Sequence, residues 1–350
     1  MQQRIEILNN INHYLLKPEY ITTEVLNHTT LKVMVQLPFA ATSFHTELES
    51  YLLSYLQEHG VSEPIVVEFK TIIIPHKVKS GLTRQGNIKN ILAVTSGKGG
   101  VGKSTTALNL AIGLAKNGAA VGLLDADIYG PSIPMLVGER EFKPEVADAC
   151  FVPLNKYGIK ILSFGFLIGE KQPAIWRGAM VGKALDQLLF DTQWGELDYL
   201  VIDMPPGTGD IHLTMCQKMP ITAVITVTTP QDIALIDVRK SIEMYRKMDI
   251  PCLGIVENMS VHICSQCGHA EAIFGAQGGT NLAAEYQLPL LAQLPLDINI
   301  RTSSDSGEPI SAYDGTISKI YAQLAVKVAR GLSGLAKDYS AKLGKVSVVK

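Results

Sequence analysis

The chain has 350 residues, enough for two domains or for one large domain with an appendage. Hydrophobic residues make up 47% and charged residues 18%, a balance that gives a folded protein its core and excludes a disordered chain. The formal net charge of −2 excludes a general pull toward nucleic acid or anionic membrane, and no apolar run is long enough to span a bilayer.

The opening "MQQRIEILNN" lacks the basic-then-apolar order of an export signal. Five cysteines occur, Cys150, Cys216, Cys252, Cys264 and Cys267. An odd, sparse set without an export signal predicts a cytoplasmic, reducing environment and no disulfide framework. Residues 1–75 read as a small α+β domain. In it "LKVMVQL" alternates Leu31, Val33, Val35 and Leu37 as a half-buried strand does, and "PIVVEFKTIII" is a second strand. Between them Phe44, Leu48, Tyr51, Leu52, Tyr55 and Leu56 share one helical face, with Gly60 as the stop. Residues 76–90 contain "HKVKSGLTRQGNIKN", basic, without an acid, and read as a solvated linker.

Residues 91–350 read as a second domain. The nearly all-apolar runs "ILAVTS", "AAVGLLDAD", "GIKILSF", "DYLVID", "ITAVITVTT" and "CLGIVEN" alternate with helical segments such as "KSTTALNLAIGLAKNG" and "DIALIDVRKSIEMYRKM". Strands apolar on both faces, separated by helices, predict a doubly wound, mostly parallel α/β sheet. Ligands on such a sheet bind at the carboxyl ends of the strands.

Directly after the first run stands "TSGKGGVGKSTT", which satisfies G-x-x-x-x-G-K-[ST] with Gly97, Gly102, Lys103 and Ser104. Gly97, Gly99, Gly100 and Gly102 let successive backbone N–H groups point inward at phosphate oxygens, and Val101 and Thr105 fall within the same cradle. The helix opening at Lys103 adds its positive end, Lys103 reaches the β and γ phosphates, and Ser104 binds Mg²⁺. "YLVID" ends in Asp203, placed to hold Mg²⁺ through water, and the stiff Pro205–Pro206–Gly207 turn after it is placed to sense the γ-phosphate. The fold class is therefore a P-loop NTPase that takes ATP with Mg²⁺ and hydrolyses it, with slow turnover expected.

Lys98 is one lysine more than such a loop needs. "GKGGVGKST" resembles the deviant phosphate loop of the ATPases that include division-site, plasmid-partition, nitrogenase-reductase and metallocluster-carrier proteins. The resemblance implies a homodimer in which Lys98 reaches the partner's nucleotide. It also implies that Asp127, in "LLDADIYGPSIP", orients the attacking water, that Asp125 assists near the metal, and that Asn258, in "VENMS", reads the adenine edge.

"VHICSQCGHA" places Cys264 and Cys267 two residues apart, offering half of a four-thiolate site. Cys216 and Cys252 fall in helix-like and strand-like apolar segments, where a cysteine serves as a small core residue. A two-fold axis supplies four thiolates most simply. Because His262 and His269 flank the pair, zinc stays open beside iron–sulfur. The order of motifs, closing with "LAQLPLDINIRTSSDSGEP", resembles the Mrp-type (ApbC-like) iron–sulfur cluster carrier ATPases over residues 88–330. The resemblance implies a [4Fe–4S] cluster bound between subunits, received from cluster scaffold proteins and passed to apo iron–sulfur proteins. Two alternatives remain, a zinc-bridged client-targeting ATPase and a positioning ATPase of the division-site or partition class. The tail "KDYSAKLGKVSVVK" is basic and short of bulky apolar residues, which counts against a membrane anchor.

Overall fold

The structure, a computed structural model, describes residues 7–26, 29–168, 178–264 and 266–338. The first six residues and the tail from 339 onward, on which the readings of no export signal and no membrane anchor rest, lie outside the described residues. Among the described residues no helix is long and apolar enough to cross a membrane.

Strands β1 (Ile21–Leu26), β2 (Thr30–Leu37) and β3 (Ile65–Thr71) form a small sheet, antiparallel between β1 and β2 and parallel between β2 and β3. The crossover is helix α1 (His45–Glu58), which buries Leu48, Leu52 and Leu56. It ends as expected at Gly60, whose left-handed φ of +85° suits a residue without a side chain. Strand β1 goes unread in the sequence because "ITTEVL" is only half-buried and mixes polar with apolar residues. Side chains between β2 and α1 tie this unit to a loop beyond residue 100. Thr42 Oγ1 donates to Asn117 O at 2.9 Å, and Ser43 Oγ donates to Asn117 Oδ1 at 2.6 Å.

The segment read as a solvated linker is instead held. His76 is 1% exposed and pairs with Asn90, and Lys77 N–H donates to Ala336 O. Arg84 forms an ion pair with Asp338. Ala336 and Asp338 lie at the far end of the chain, so local composition carries no sign of them. The strand after it also starts earlier than expected, at Ile88.

From there the chain runs β4 (Ile88–Ser96), α2 (Lys103–Lys116), β5 (Val121–Asp125), α3 (Ile133–Leu136), a hairpin of β6 (Val146–Ala147) and β7 (Cys150–Phe151), β8 (Leu154–Lys156), β9 (Ile159–Ser163), α4 (Phe164–Leu167) and α5 (Gly178–Phe190). It continues with β10 (Leu197–Asp203), α6 (Asp210–Lys218), β11 (Ala223–Thr228), α7 (Asp232–Lys247), β12 (Cys252–Glu257), a hairpin of β13 (His262–Ile263) and β14 (Ala270–Glu271), α8 (Gly278–Tyr286), β15 (Leu290–Gln293), α9 (Ile298–Ser306) and α10 (Thr316–Ser333). Eight strands make one sheet in the order β15-β12-β11-β4-β10-β5-β9-β8, parallel except for β8 on β9. Every residue of β5 and β11 is buried, as strands covered by helices on both faces must be. Strand β4 is the switch point. The chain crosses to β5 and β10 on one side and to β11 and β12 on the other, which opens a crevice at its carboxyl end.

Candidate functional site

Strand β4 ends at Ser96, whose hydroxyl donates to Lys98 O at 2.9 Å and starts the bend of the loop. Gly100 and Gly102 take φ of +80° and +85°, conformations that L side chains rarely adopt. Gly97 is required for another reason, since a Cβ there would lie 2.7 Å from Asp237 Cβ on α7. Among the described residues the amides of Gly99 to Thr105 donate to no protein acceptor. They line a hollow of ≈ 490 Å³, with Asp127, Tyr129 and Pro206 across from them. Free N–H groups at the start of a long helix make an anion cradle.

Lys103, 6% exposed, extends into the hollow and turns back onto acids. Its Nζ lies 2.5 Å from Asp203 Oδ1, 3.5 Å from Asp127 Oδ2 and 3.3 Å from Ser104 Oγ. Asp203 and Asp125 are fully buried at the ends of neighbouring strands. Burial and the Asp203 charge push the Asp125 carboxyl up to about 7. Burial likewise raises Asp203, against the opposing pull of Lys103. One ammonium faces three carboxylates, and Asp203 Oδ2 is buried without a hydrogen bond. An unsatisfied anionic oxygen beside a serine hydroxyl, in a pocket with excess negative charge, fits a hard divalent cation.

Asp125, expected to assist near the metal, stands beside Asp203 on the neighbouring strand and spends both oxygens on protein donors. Its Oδ2 accepts from Ser163 Oγ at 2.8 Å and from Ile133 N–H at 3.2 Å, and Oδ1 accepts from Asp127 N–H at 3.1 Å. Both oxygens thus hold the loop that carries Asp127. Asn258 also differs. Its Nδ2 donates to Val101 O at 2.9 Å, and a Cβ on Gly102 would collide with that amide. It braces the phosphate loop, while its chain neighbours Glu257 and Ser260 help to line a second cavity of ≈ 810 Å³. Gly207 N–H donates to Ser96 O at 2.9 Å, so the Pro205–Gly207 turn rests against the start of the loop. Lys98 makes no ion pair or hydrogen bond through its ammonium among the described residues, while its carbonyl accepts from Ser96.

Cys264 and Cys267 sit in the turn between β13 and β14. Cys264 N–H donates to His269 O, and Gly268 N–H donates to Cys264 O, both at 2.9 Å. The amides of Cys267 and Gln266 and the Cys267 thiol hold the Cys264 thiol below its usual range. Cys264 is half-buried and Cys267 exposed. His262 Nδ1 bonds Leu296 O at 3.1 Å, which leaves Nε2 as the ring nitrogen with a free lone pair. Among the described residues no three His, Cys, Asp or Glu side chains converge on a metal position. Cys216 and Cys252 are core thiols of α6 and β12, and burial pushes Cys216 up to about 12. Cys150 lies in the β6–β7 hairpin, half-buried. The root of the cysteine hairpin is pinned by Glu257, which accepts from Gly279 N–H and from Gln293 Nε2, contacts that sequence spacing does not reveal.

A family model described as NUBPL iron-transfer P-loop NTPase (ParA) matches residues 87–329. The iron–sulfur cluster carrier protein of Escherichia coli strain K12 is 46% identical over 333 residues, covering 93% of this chain and 90% of that protein. That of Pseudomonas fragi is 54% identical over 270 residues, covering 76% and 94%. The mouse iron–sulfur cluster transfer protein NUBPL is 49% identical over 250 residues, covering 70% and 78%. A nucleotide-binding protein of Archaeoglobus fulgidus, solved with ADP, is 39% identical with a TM-score of 0.57, covering 63% of this chain and 88% of that one.

Proposed function

Because the chain belongs to the ParA family of NUBPL iron-transfer P-loop NTPases, we propose that it carries an iron–sulfur cluster between two subunits, under the control of ATP, and delivers it to apo-proteins. Relatives named as cluster carriers and transfer proteins, matched over 70% to 93% of the chain, support the cargo. The half-built site carries the geometry: two cysteines in one turn, the Cys264 thiol held below its usual range by the Cys267 amide, with no third ligand beside them among the described residues. A second copy across a two-fold axis brings the set to four, which suits [4Fe–4S]. The zinc-bridged alternative shares that geometry, and metal analysis separates the two.

The nucleotide end follows from the cradle. The phosphates take the free amides of Gly99 to Thr105, and Lys103 leaves Asp203 for the β and γ oxygens. Ser104 Oγ and Asp203 would hold Mg²⁺, which neutralises charge on the phosphates. Asp127, fixed by Asp125 through its own amide, faces the hollow and orients water for attack on the γ-phosphorus. The base lies toward the cavity that Glu257 and Ser260 help to line, with the Asn258 carboxamide bracing the loop between base and phosphates. Lys98, whose ammonium has no partner among the described residues, serves the partner's nucleotide. Its contact in trans makes dimer geometry depend on ATP, and with it the spacing of the four thiolates.

The test is transfer. Protein reconstituted anaerobically with iron and sulfide should activate an apo iron–sulfur acceptor, and the Cys264→Ala, Cys267→Ala double variant should not. Equal activation by the double variant would remove the cysteine hairpin from the proposal.

A further inference from the structure

His212 and Tyr245 are buried, titratable and without a part in phosphate binding or cluster transfer. His212 stands in the first turn of α6 at 2% exposure, and Tyr245 lies on α7 at 0%. His212 Nδ1 is 3.1 Å from Pro205 O, and Nε2 meets the Tyr245 hydroxyl. A carbonyl can only accept, so Nδ1 carries the proton. In a neutral ring Nε2 then accepts from the Tyr245 O–H. Burial keeps the ring neutral, pushing its pKa down to about 4. The bonds run one way, from Tyr245 through His212 to Pro205.

One end of this relay adjoins the phosphate hollow, and the other is carried on a helix that packs against the phosphate loop. Pro205 closely follows Asp203, and Pro206 lines the phosphate hollow. Neither proline has an N–H, so carbonyls are the only backbone groups through which that part of the turn can be held. Gly207 holds the other side through Ser96. Tyr245 shares α7 with Asp237, the residue packed against Gly97 of the phosphate loop. Helix α7 therefore contacts the loop directly and the γ-phosphate-sensing turn through His212.

We propose that His212 is a positioning residue for hydrolysis: its Nδ1–H holds the Pro205 carbonyl, and Tyr245 holds the ring, so that the Pro205–Gly207 turn and α7 keep one register over the phosphates. This rests on the ATPase reading. His212 touches neither phosphate nor water, so its removal misplaces the turn without removing a ligand of the nucleotide. Misplacement of catalytic geometry by a fraction of an ångström to 1 Å costs on the order of 10-fold to 100-fold in rate.

Four variants of the full chain separate positioning from packing. His212→Asn keeps an amide N–H where Nδ1 was, His212→Gln carries its amide out toward Tyr245, His212→Ala removes both contacts, and Tyr245→Phe removes the hydroxyl alone. ATP turnover, nucleotide affinity and hydrogen–deuterium exchange at Gly207 to Ile211 are measured for each. His212→Ala and His212→Gln should lose about 10-fold or more in kcat, with affinity within about twofold and faster exchange in the turn. His212→Asn should recover most of kcat, and Tyr245→Phe should fall between. A packing role alone would lower the melting temperatures of Asn and Gln variants alike and leave kcat untouched. If His212→Ala does not fold, the Asn-against-Gln comparison decides. Wild-type kcat in His212→Gln, or Asn no better than Gln, overturns the proposal. Absence of turnover in the wild type would instead sink the ATPase reading, and the exchange rates would still decide whether His212 holds the turn.

Discussion

Around Lys103 three carboxylates share one ammonium, and that imbalance governs what substitutions do there. Lys103→Ala removes the cation that holds Asp203 and, in the proposed mechanism, the one that stabilises charge on the transferred phosphoryl group. Loss of such a group lowers kcat by about 10²-fold to 10³-fold, so phosphate release should fall by at least that range. Near-normal release would contradict the nucleotide chemistry. His212 yields a pH signature. Unfolded, it titrates near its ordinary 6.5, and folded near about 4, so between these values the unfolded chain binds more protons. Its stabilisation is complete above about pH 6.5 and is lost as pH falls toward 4, amounting in full to about 3 kcal/mol. Denaturant unfolding of the wild type against His212→Asn, which does not titrate, should show the gap narrowing across that window. A pH-independent gap would mean the ring is not held neutral. Residue types and spacing made Lys103, Ser104, Asp203 and the cysteine pair legible. They did not reveal that Asp125 spends both oxygens on a loop, or that Asn258 bonds Val101, because those partners come from distant turns of the chain.

At the level of elements, continuous apolar runs announced the parallel strands, since burial on both faces leaves no alternation to misread. Half-buried β1 and short β15 gave no such signal. Nor did the segment at 76–87 betray that it packs against the C-terminal end of α10, because its contacts cross nearly the whole chain. The phosphate loop is where element packing and chemistry coincide. Gly102 must be left-handed to open α2 and must lack a side chain to admit the Asn258 amide. Gly102→Ala should therefore weaken ATP binding and detach the brace at once, an effect calorimetric titration can measure. Unchanged affinity would show that the brace and the loop conformation are dispensable for binding. From Asn258 it is a short way along the chain to Cys264, through a hairpin root held by Glu257 and by Leu296. In the proposed mechanism this stretch carries nucleotide-dependent movement of the loop to the thiols.

For the whole molecule, the proposed second copy accounts for two features: a lysine beside the phosphate cradle whose ammonium has no partner among the described residues, and a cysteine pair that offers half of a four-thiolate set. Lys98→Ala should bind ATP almost normally and hydrolyse it poorly. Mixed with Lys103→Ala, it forms dimers in which one intact cradle receives Lys98 from the other subunit, and part of the activity should return. No return, with mixed dimers present, would remove Lys98 from trans catalysis. The central claim is that one cluster is shared by two chains. Native mass spectrometry of anaerobically reconstituted protein, paired with iron and sulfide analysis, measures this directly. The account predicts a dimer carrying about four irons for two chains, abolished by Cys264→Ala or Cys267→Ala alone because symmetry removes two ligands at a time. A full cluster on each monomer, or normal iron and sulfide in the double variant, would contradict it.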